Sequence, residues 1–286
     1  MDKQTGTKNR VINPNFDITP NPRAIAQLVP TPDLIASLKQ AEHAPHAPRT
    51  LGEVALGDLG VQGREDLALA CEARANMYAL LGRVYRVEAD ETLLNRLQDA
   101  RFAAHTGNDE VDEGYRKVVT FLSKPREHMA RELAKDYVRA FIGYTGDHAS
   151  AAYPYESVYR SEKHLLMQES RDEVLACYRA AGLEKDEGWR EPEDHVALEF
   201  EYMQAMAGRT AEALRAGETP LAQDLLRDQS HFLQDHINAW VPGFTRDVEH
   251  CATTDFYRGF ALVTRGYLAC EMELFGELAG QAEQVK

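Results

Sequence analysis

The run Glu191-Pro192-Glu193-Asp194-His195 places a rigid turn, two neighbouring carboxylates and an imidazole just ahead of the apolar stretch Val196 to Phe200. Groups of these types cap a helix, grip a ligand or exchange a proton. Proline's fixed φ suits the first helical position, and its ring pushes the preceding residue out of helical geometry. The run therefore predicts a helix opening near Pro192, with Glu193 and Asp194 in its first turn. There the unpaired amides and the positive end of the helix dipole favour negative charge. Capping accounts for both acids and leaves His195 solvated, beside Glu199 and Tyr202. A functional loop is the competing reading, and spacing alone favours the first.

A second run, Ala151-Ala152-Tyr153-Pro154-Tyr155-Glu156-Ser157-Val158-Tyr159, sets three tyrosines around a proline at another predicted helix start. Tyrosine supplies rigid apolar area with a polar tip, a combination enriched where proteins grip peptides. Its plain alternative is a proline turn in which Glu156 or Ser157 caps the next helix. Together the two proline-braced loops form a candidate pocket.

Other chemistry is poorly supported. The ten histidines include no H-E-x-x-H, and neither His231 with His236 nor His195 with Glu199 brings a third ligand at metal-site spacing, so no metal is expected. G-x-S-x-G, G-x-G-x-x-G and G-x-x-x-x-G-K-[ST] are all missing. Asp194 with His195 would suit a general acid–base pair, but no nucleophile completes such a site. Arg258 and Arg265, seven apart, are expected to flank an apolar stripe, with Arg258 paired to an acid.

The elements that position these loops read as helices. Leu67, Cys71, Ala75, Tyr78, Leu81 and Tyr85 recur at spacings of three and four, as do Phe256, Phe260, Val263, Tyr267, Cys270, Leu274 and Leu278. Further helices are expected near 109–122, through Met129 to Phe141, from about Ser157 to a stop at Gly182, and from about Pro220 to Trp240. No stretch of four or more residues alternates as a strand. The chain thus reads as an all-α, single globular helical bundle of roughly nine to eleven helices. Seven of the twelve prolines fall in residues 1–60, so that segment reads as a proline-rich N-terminal extension to an all-helical domain over 61–286. A short helix from Pro32 to Lys39 fits within it.

Net charge is −14. Six basic and six acidic residues cancel in the first 60, so all of that charge belongs to the helical part. Nucleic acid needs clustered cations and is disfavoured; a basic partner suits better. No run reaches the roughly 18 apolar residues of a membrane span, so no membrane insertion is expected. Four scattered cysteines without C-x-x-C, and no apolar leader at the N-terminus, point to a reducing, cytoplasmic setting.

Four segments carry a family resemblance. They are Tyr137-Val138-Arg139-Ala140-Phe141-Ile142-Gly143 leading to Pro154-Tyr155-Glu156-Ser157-Val158-Tyr159; Glu191-Pro192-Glu193-Asp194-His195; Phe232-Leu233 to Trp240-Val241-Pro242-Gly243-Phe244; and Phe256-Tyr257-Arg258. In order and spacing the chain resembles the TorD/DmsD family of redox-enzyme maturation chaperones over roughly residues 64–280. The resemblance implies a non-enzymatic cytoplasmic chaperone for a molybdenum-containing oxidoreductase. Its partner would be the apo-molybdoenzyme catalytic subunit and its twin-arginine leader peptide, held until the cofactor is inserted. Glu191, Glu193 and Asp194 would then meet the leader's arginines, His195 would donate to a peptide carbonyl, and Tyr144, Pro154, Tyr155 and Tyr159 would wall the apolar run beside Glu156 and Ser157. The resemblance implies no bound cofactor. Some members bind guanine nucleotide weakly, which leaves a GTP-binding or hydrolytic protein using Asp194 and His195 as the alternative. A homodimer by helix exchange also remains open.

Overall fold

The structure, a computed structural model, describes residues 10–12, 56, 59–143 and 151–279. It is all-α, as the periodicities predict. Among the described residues ten α-helices follow one another: α1 Val61–Arg86, α2 Glu91–Asp99, α3 Asp109–Leu122, α4 Met129–Tyr137, α5 Glu156–Arg160, α6 Glu169–Ala180, α7 Val196–Ala216, α8 Thr219–Phe232, α9 Asn238–Cys251 and α10 Asp255–Ala279. Helix α4 runs on through a π-helical turn, Val138–Ile142, and a second such turn, Leu233–Ile237, joins α8 to α9 in one rod. No helix among the described residues is long and apolar enough to cross a membrane. Tyr144, expected in the candidate site, and the Pro32–Lys39 helix both lie outside the described residues.

The bundle is assembled by the stripes read from the sequence. Cys71, Tyr78, Leu81 and Tyr85 of α1 are sealed in the core, as are Phe256, Phe260, Val263 and Tyr267 of α10. Tyr85 is the hinge of an aromatic cluster, with Phe244 at 5.2 Å, Phe141 at 5.8 Å and Phe200 at 6.3 Å between ring centres. Its hydroxyl is satisfied at Thr264, 2.8 Å away. Full burial of each such ring is worth about 1.5–3 kcal/mol. Helices α3 and α10 touch backbone to backbone: a Cβ on Gly114 would sit 2.6 Å from the Gly259 carbonyl oxygen, and one on Gly259 would sit 2.7 Å from that of Gly114. No side chain fits there.

Two expectations about helices are corrected, and beside the helices lies one short strand pair: β1, Arg10–Ile12, parallel to β2, Leu183–Lys185. At three residues each, these strands are too short to leave an alternating pattern. The helix expected from Ser157 to Gly182 is two helices, α5 and α6, separated by the loop 161–168, in which His164 and Met167 adopt positive φ of 51° and 61°. Finally, the helix expected to open at Pro192 begins at Val196. Pro192 instead starts a turn, its carbonyl accepting from the His195 amide at 3.3 Å.

Candidate functional site

Two loops meet ahead of α5 and α7, and the second explains why Pro192 does not open a helix. Residues 194–196 are drawn into an antiparallel bridge with 154–156. The Glu156 amide donates to the Asp194 carbonyl at 3.0 Å and the Val196 amide to the Pro154 carbonyl at 2.9 Å. Helical geometry at Asp194 would sacrifice both bonds. Asp194 then turns its side chain across the gap, where Oδ2 accepts from the Ser157 amide at 2.8 Å and from the Ser157 hydroxyl. It caps α5 from another segment of the chain.

His195 caps its own helix. Its Nδ1 accepts from the Ala197 amide at 3.0 Å, so the neutral ring carries its proton on Nε2. Burial, and secondarily the Arg86 charge, press its pKa down to about 3. The ring packs edge-on to Tyr155 and to Trp189, each with centres 5.1 Å apart, and the Arg86 guanidinium lies over that indole, 4.4 Å from its centre. His195 is 3 % exposed and not the solvated side chain that capping at Pro192 implied.

The remaining acids are also engaged. Glu191 accepts from the Tyr155 hydroxyl at 2.5 Å. Glu193 bridges Arg171 at 2.6 Å and Lys185 at 2.9 Å. Burial raises the Glu193 pKa, but those two cations outweigh it and leave the group below its ordinary value. Glu156, Ser157, Asp194 and Pro154 are buried, while Tyr155, Tyr159, Glu191, Pro192 and Glu193 keep part of their surface in solvent. Tyr159 leans on Trp240 and Phe244, its hydroxyl donating to Asp247 at 2.8 Å.

Behind the loops lies a polar cluster that sequence reasoning largely missed. Glu156 accepts from Arg160 at 2.6 Å and stands 3.2 Å from His236 Nδ1. Burial lowers the His236 pKa, yet its hydrogen bonds to Cys177 and Glu156 lift it to about 9. Glu199 accepts from Trp240 Nε1 at 3.0 Å. Burial first, and the Glu156 charge second, push Glu199 well above the carboxylate range. Asp194 Oδ1 and Glu199 Oε1 have no hydrogen-bond partner among the described residues. One signal was available: an acid at position 199 inside the otherwise apolar stretch 196–200 has to be buried with company.

A cleft of about 220 Å³ opens between α1 and α7. Ala79, Gly82 and Ala197 line it together with Arg83, Arg86 and Glu201. Among the described residues no three His, Cys, Asp or Glu side chains gather as metal ligands. The Arg258 Nε is buried without a partner among those residues, contrary to the expected acid pairing, whereas Arg265 reaches Glu110 and Glu249.

The family described as nitrate reductase delta subunit matches residues 108–246, which include both loops. The chaperone protein TorD of Vibrio cholerae serotype O1 (strain M66-2) is 25% identical over 211 residues, 72% of this chain and 91% of that protein. That of Shewanella piezotolerans (strain WP3 / JCM 13877) is 24% identical over 214 residues, 71% of this chain and 92% of its own length.

Proposed function

Since the chain belongs to the TorD/DmsD family of redox-enzyme maturation chaperones, we propose that it works in the cytoplasm on the apo form of a molybdenum-containing oxidoreductase, binding the leader or N-terminal segment until the cofactor is inserted. The observation that carries this reading is the bridging of the two family loops into one unit. The bridge spans residues 154–157 and 194–196 and presents Tyr155, Tyr159, Glu191, Pro192 and Glu193 at the surface.

In this reading the site residues divide into two roles. Pro154, Glu156, Ser157, Asp194 and His195 hold the loops in register. Tyr155, Tyr159 and Pro192 offer apolar wall, and Glu191 and Glu193 exchange their internal partners for the guanidinium groups of a basic segment, a bidentate contact for which carboxylates are suited. The acid–base alternative has less behind it. Asp194 and His195 are bonded to Ser157 and Ala197 respectively, and burial keeps the imidazole neutral.

Calorimetry with the client's leader peptide tests the proposal. Binding is expected to weaken when the leader's arginine pair is replaced by alanine, and when Glu191→Gln and Glu193→Gln are combined in the chaperone. Affinity indifferent to both changes would remove it. Incubation with GTP should give neither saturable binding nor turnover.

A further inference from the structure

The loop between α5 and α6 exposes three consecutive large apolar side chains, Leu165 at 47 %, Leu166 at 45 % and Met167 at 57 %. Among the described residues the other exposed large apolar side chains, such as Val61, Leu69, Val119 and Leu221, have no such neighbour beside them in sequence. Isolated apolar residues on a surface are ordinary, but a contiguous run is a liability unless something covers it.

This loop is also held in a costly shape. His164 and Met167 take positive φ, a region in which a Cβ crowds the backbone; histidine is among the side chains that enter it more readily, and methionine is not. Local hydrogen bonds impose the conformation. His164 Nδ1 lies 2.8 Å from the Val158 carbonyl, the Leu165 amide donates to Ser161 Oγ at 3.1 Å, and Gln168 Nε2 donates to the Leu166 carbonyl at 2.8 Å. One tie reaches the family loops directly: the Gln168 amide donates to Ser157 Oγ at 3.4 Å, the hydroxyl that is itself bonded to Asp194. The apolar triplet therefore hangs from the same serine that couples the two signature segments.

Its surroundings indicate what covers it. Glu162 and Glu169 lie on either side of the triplet, with the exposed Lys163 next to Glu162; both acids are exposed and neither has an ion-pair or hydrogen-bond partner among the described residues. Unpaired carboxylates on both sides of an apolar run complement a segment in which basic residues adjoin an apolar stretch.

We propose that Leu165, Leu166 and Met167 form the docking surface for the apolar run of the client's leader, with Glu162 and Glu169 facing its basic residues. This rests on the leader-binding reading above and assigns to it a surface outside the two signature loops. The Asp194–Ser157 contact then acts as a positioning device, setting the angle at which the triplet is offered.

The experiment combines three chaperones with two peptides in calorimetry. The chaperones are the full chain, a Leu165→Ser/Leu166→Ser/Met167→Ser variant and a Glu162→Gln/Glu169→Gln variant; the peptides are the client leader and the same leader with its apolar run changed to serine. The triplet is exposed, so circular dichroism should match the unmodified chain, and a Leu166→Ala variant serves if it does not. The triple variant should bind the natural leader at least about tenfold more weakly. It should lose little further affinity for the serine-substituted leader, because the two changes remove the same contact. The carboxylate variant should lose affinity in proportion to low salt. If the unmodified chain binds the leader and the triple variant binds it equally well, the triplet is not the docking surface and the leader reading survives. If the unmodified chain does not bind the leader, both are overturned. A variant that turns a dimer into a monomer while leader affinity is untouched would identify a second copy of the chain as the occupant and also overturn the proposal.

Discussion

The cluster around Glu271 and the cluster around Glu199 both place charge where water does not reach, yet only the first balances it without holding a proton on a carboxyl group. Arg74 of α1 grips Glu271 of α10 through Nε at 2.8 and 3.0 Å and through Nη2 at 2.8 Å, while its Nη1 donates to Gln229 of α8 at 2.9 Å. Gln229 passes its own amide to Thr210 of α7 at 2.9 Å, and Tyr78 donates to Glu271 at 2.9 Å. Four long helices meet there, and Arg74, Glu271 and Gln229 leave no side-chain atom unpaired, although the neighbouring Tyr267 hydroxyl has no hydrogen-bond partner among the described residues. Around Glu199, by contrast, Glu156, Asp194 and Glu199 bring three carboxyl groups to two cations, Arg160 and His236, and two oxygens stay orphaned. The first cluster fastens the bundle. The second sits directly behind the two bridged loops, and its charges match only while Glu199 keeps its proton, which ties this cluster to pH.

The sharpest way to break this contrast is to unpair the balanced cluster. Arg74→Ala leaves Glu271 buried without its counter-ion and should cost about 3–5 kcal/mol in a urea unfolding experiment. Replacing both partners, Arg74→Met with Glu271→Leu, should recover most of that loss, since a buried ion pair adds little over well-packed apolar side chains. A cost below about 1 kcal/mol for Arg74→Ala would mean that the cluster is not sealed.

Asp194→Ala is the corresponding cut in the unbalanced cluster and should do less damage to stability. It strips the Ser157 amide and hydroxyl of their acceptor, a loss of about 1–3 kcal/mol. Asp194→Asn retains an acceptor toward Ser157 and removes the poorly compensated charge, so it should lie within about 1 kcal/mol of the unmodified chain. Leader affinity separates the two clusters further. It should fall in Asp194→Ala because the loops lose register, while a destabilised but folded Arg74→Ala protein should keep it.

How much of this could be read from the residues alone follows from which interactions are local. The stripe from Leu67 to Tyr85 and that from Phe256 to Leu274 are periodic, so the faces that α1 and α10 bury were legible. The end of α5 was not. Between Ser161 and Gln168 there is no glycine or proline to announce a break, and the loop is enforced by Ser161 Oγ and the Val158 carbonyl. Pro192 misled for a related reason. Its preference for a helix start is worth less than the two backbone bonds and the Ser157 contacts that Asp194 makes across the loop pair, and those partners lie 37 residues away in sequence. The same long-range pairing takes Asp194 and His195, whose residue types suggested an exposed binding site, and places them underneath it.

The smallest expected effect concerns pH and bears on the difference most directly. Glu199 and Asp194 are both raised above their ordinary values, chiefly by burial, and His236 is raised from 6.5 to about 9 despite burial, by its bonds to Cys177 and Glu156. A group whose folded pKa exceeds its unfolded one lends stability that is complete below the unfolded value and is lost as pH climbs through the folded value. All three therefore act in the same sense, and for His236 the loss spans pH 6.5 to about 9. His195 acts in the opposite sense: lowered to about 3, it lends stability above 6.5 that disappears as pH falls toward that value. Glu199→Gln keeps an acceptor for Trp240 Nε1 but cannot ionise. Below about pH 4.5, the ordinary value of the group, it should differ from the unmodified chain by less than about 1 kcal/mol. As pH rises the variant should become progressively the more stable of the two, which parallel thermal melts across the range would read directly. If the two curves instead stay parallel up to pH 9, Glu199 is not ionising against its neighbours, and the second cluster is as well balanced as the first.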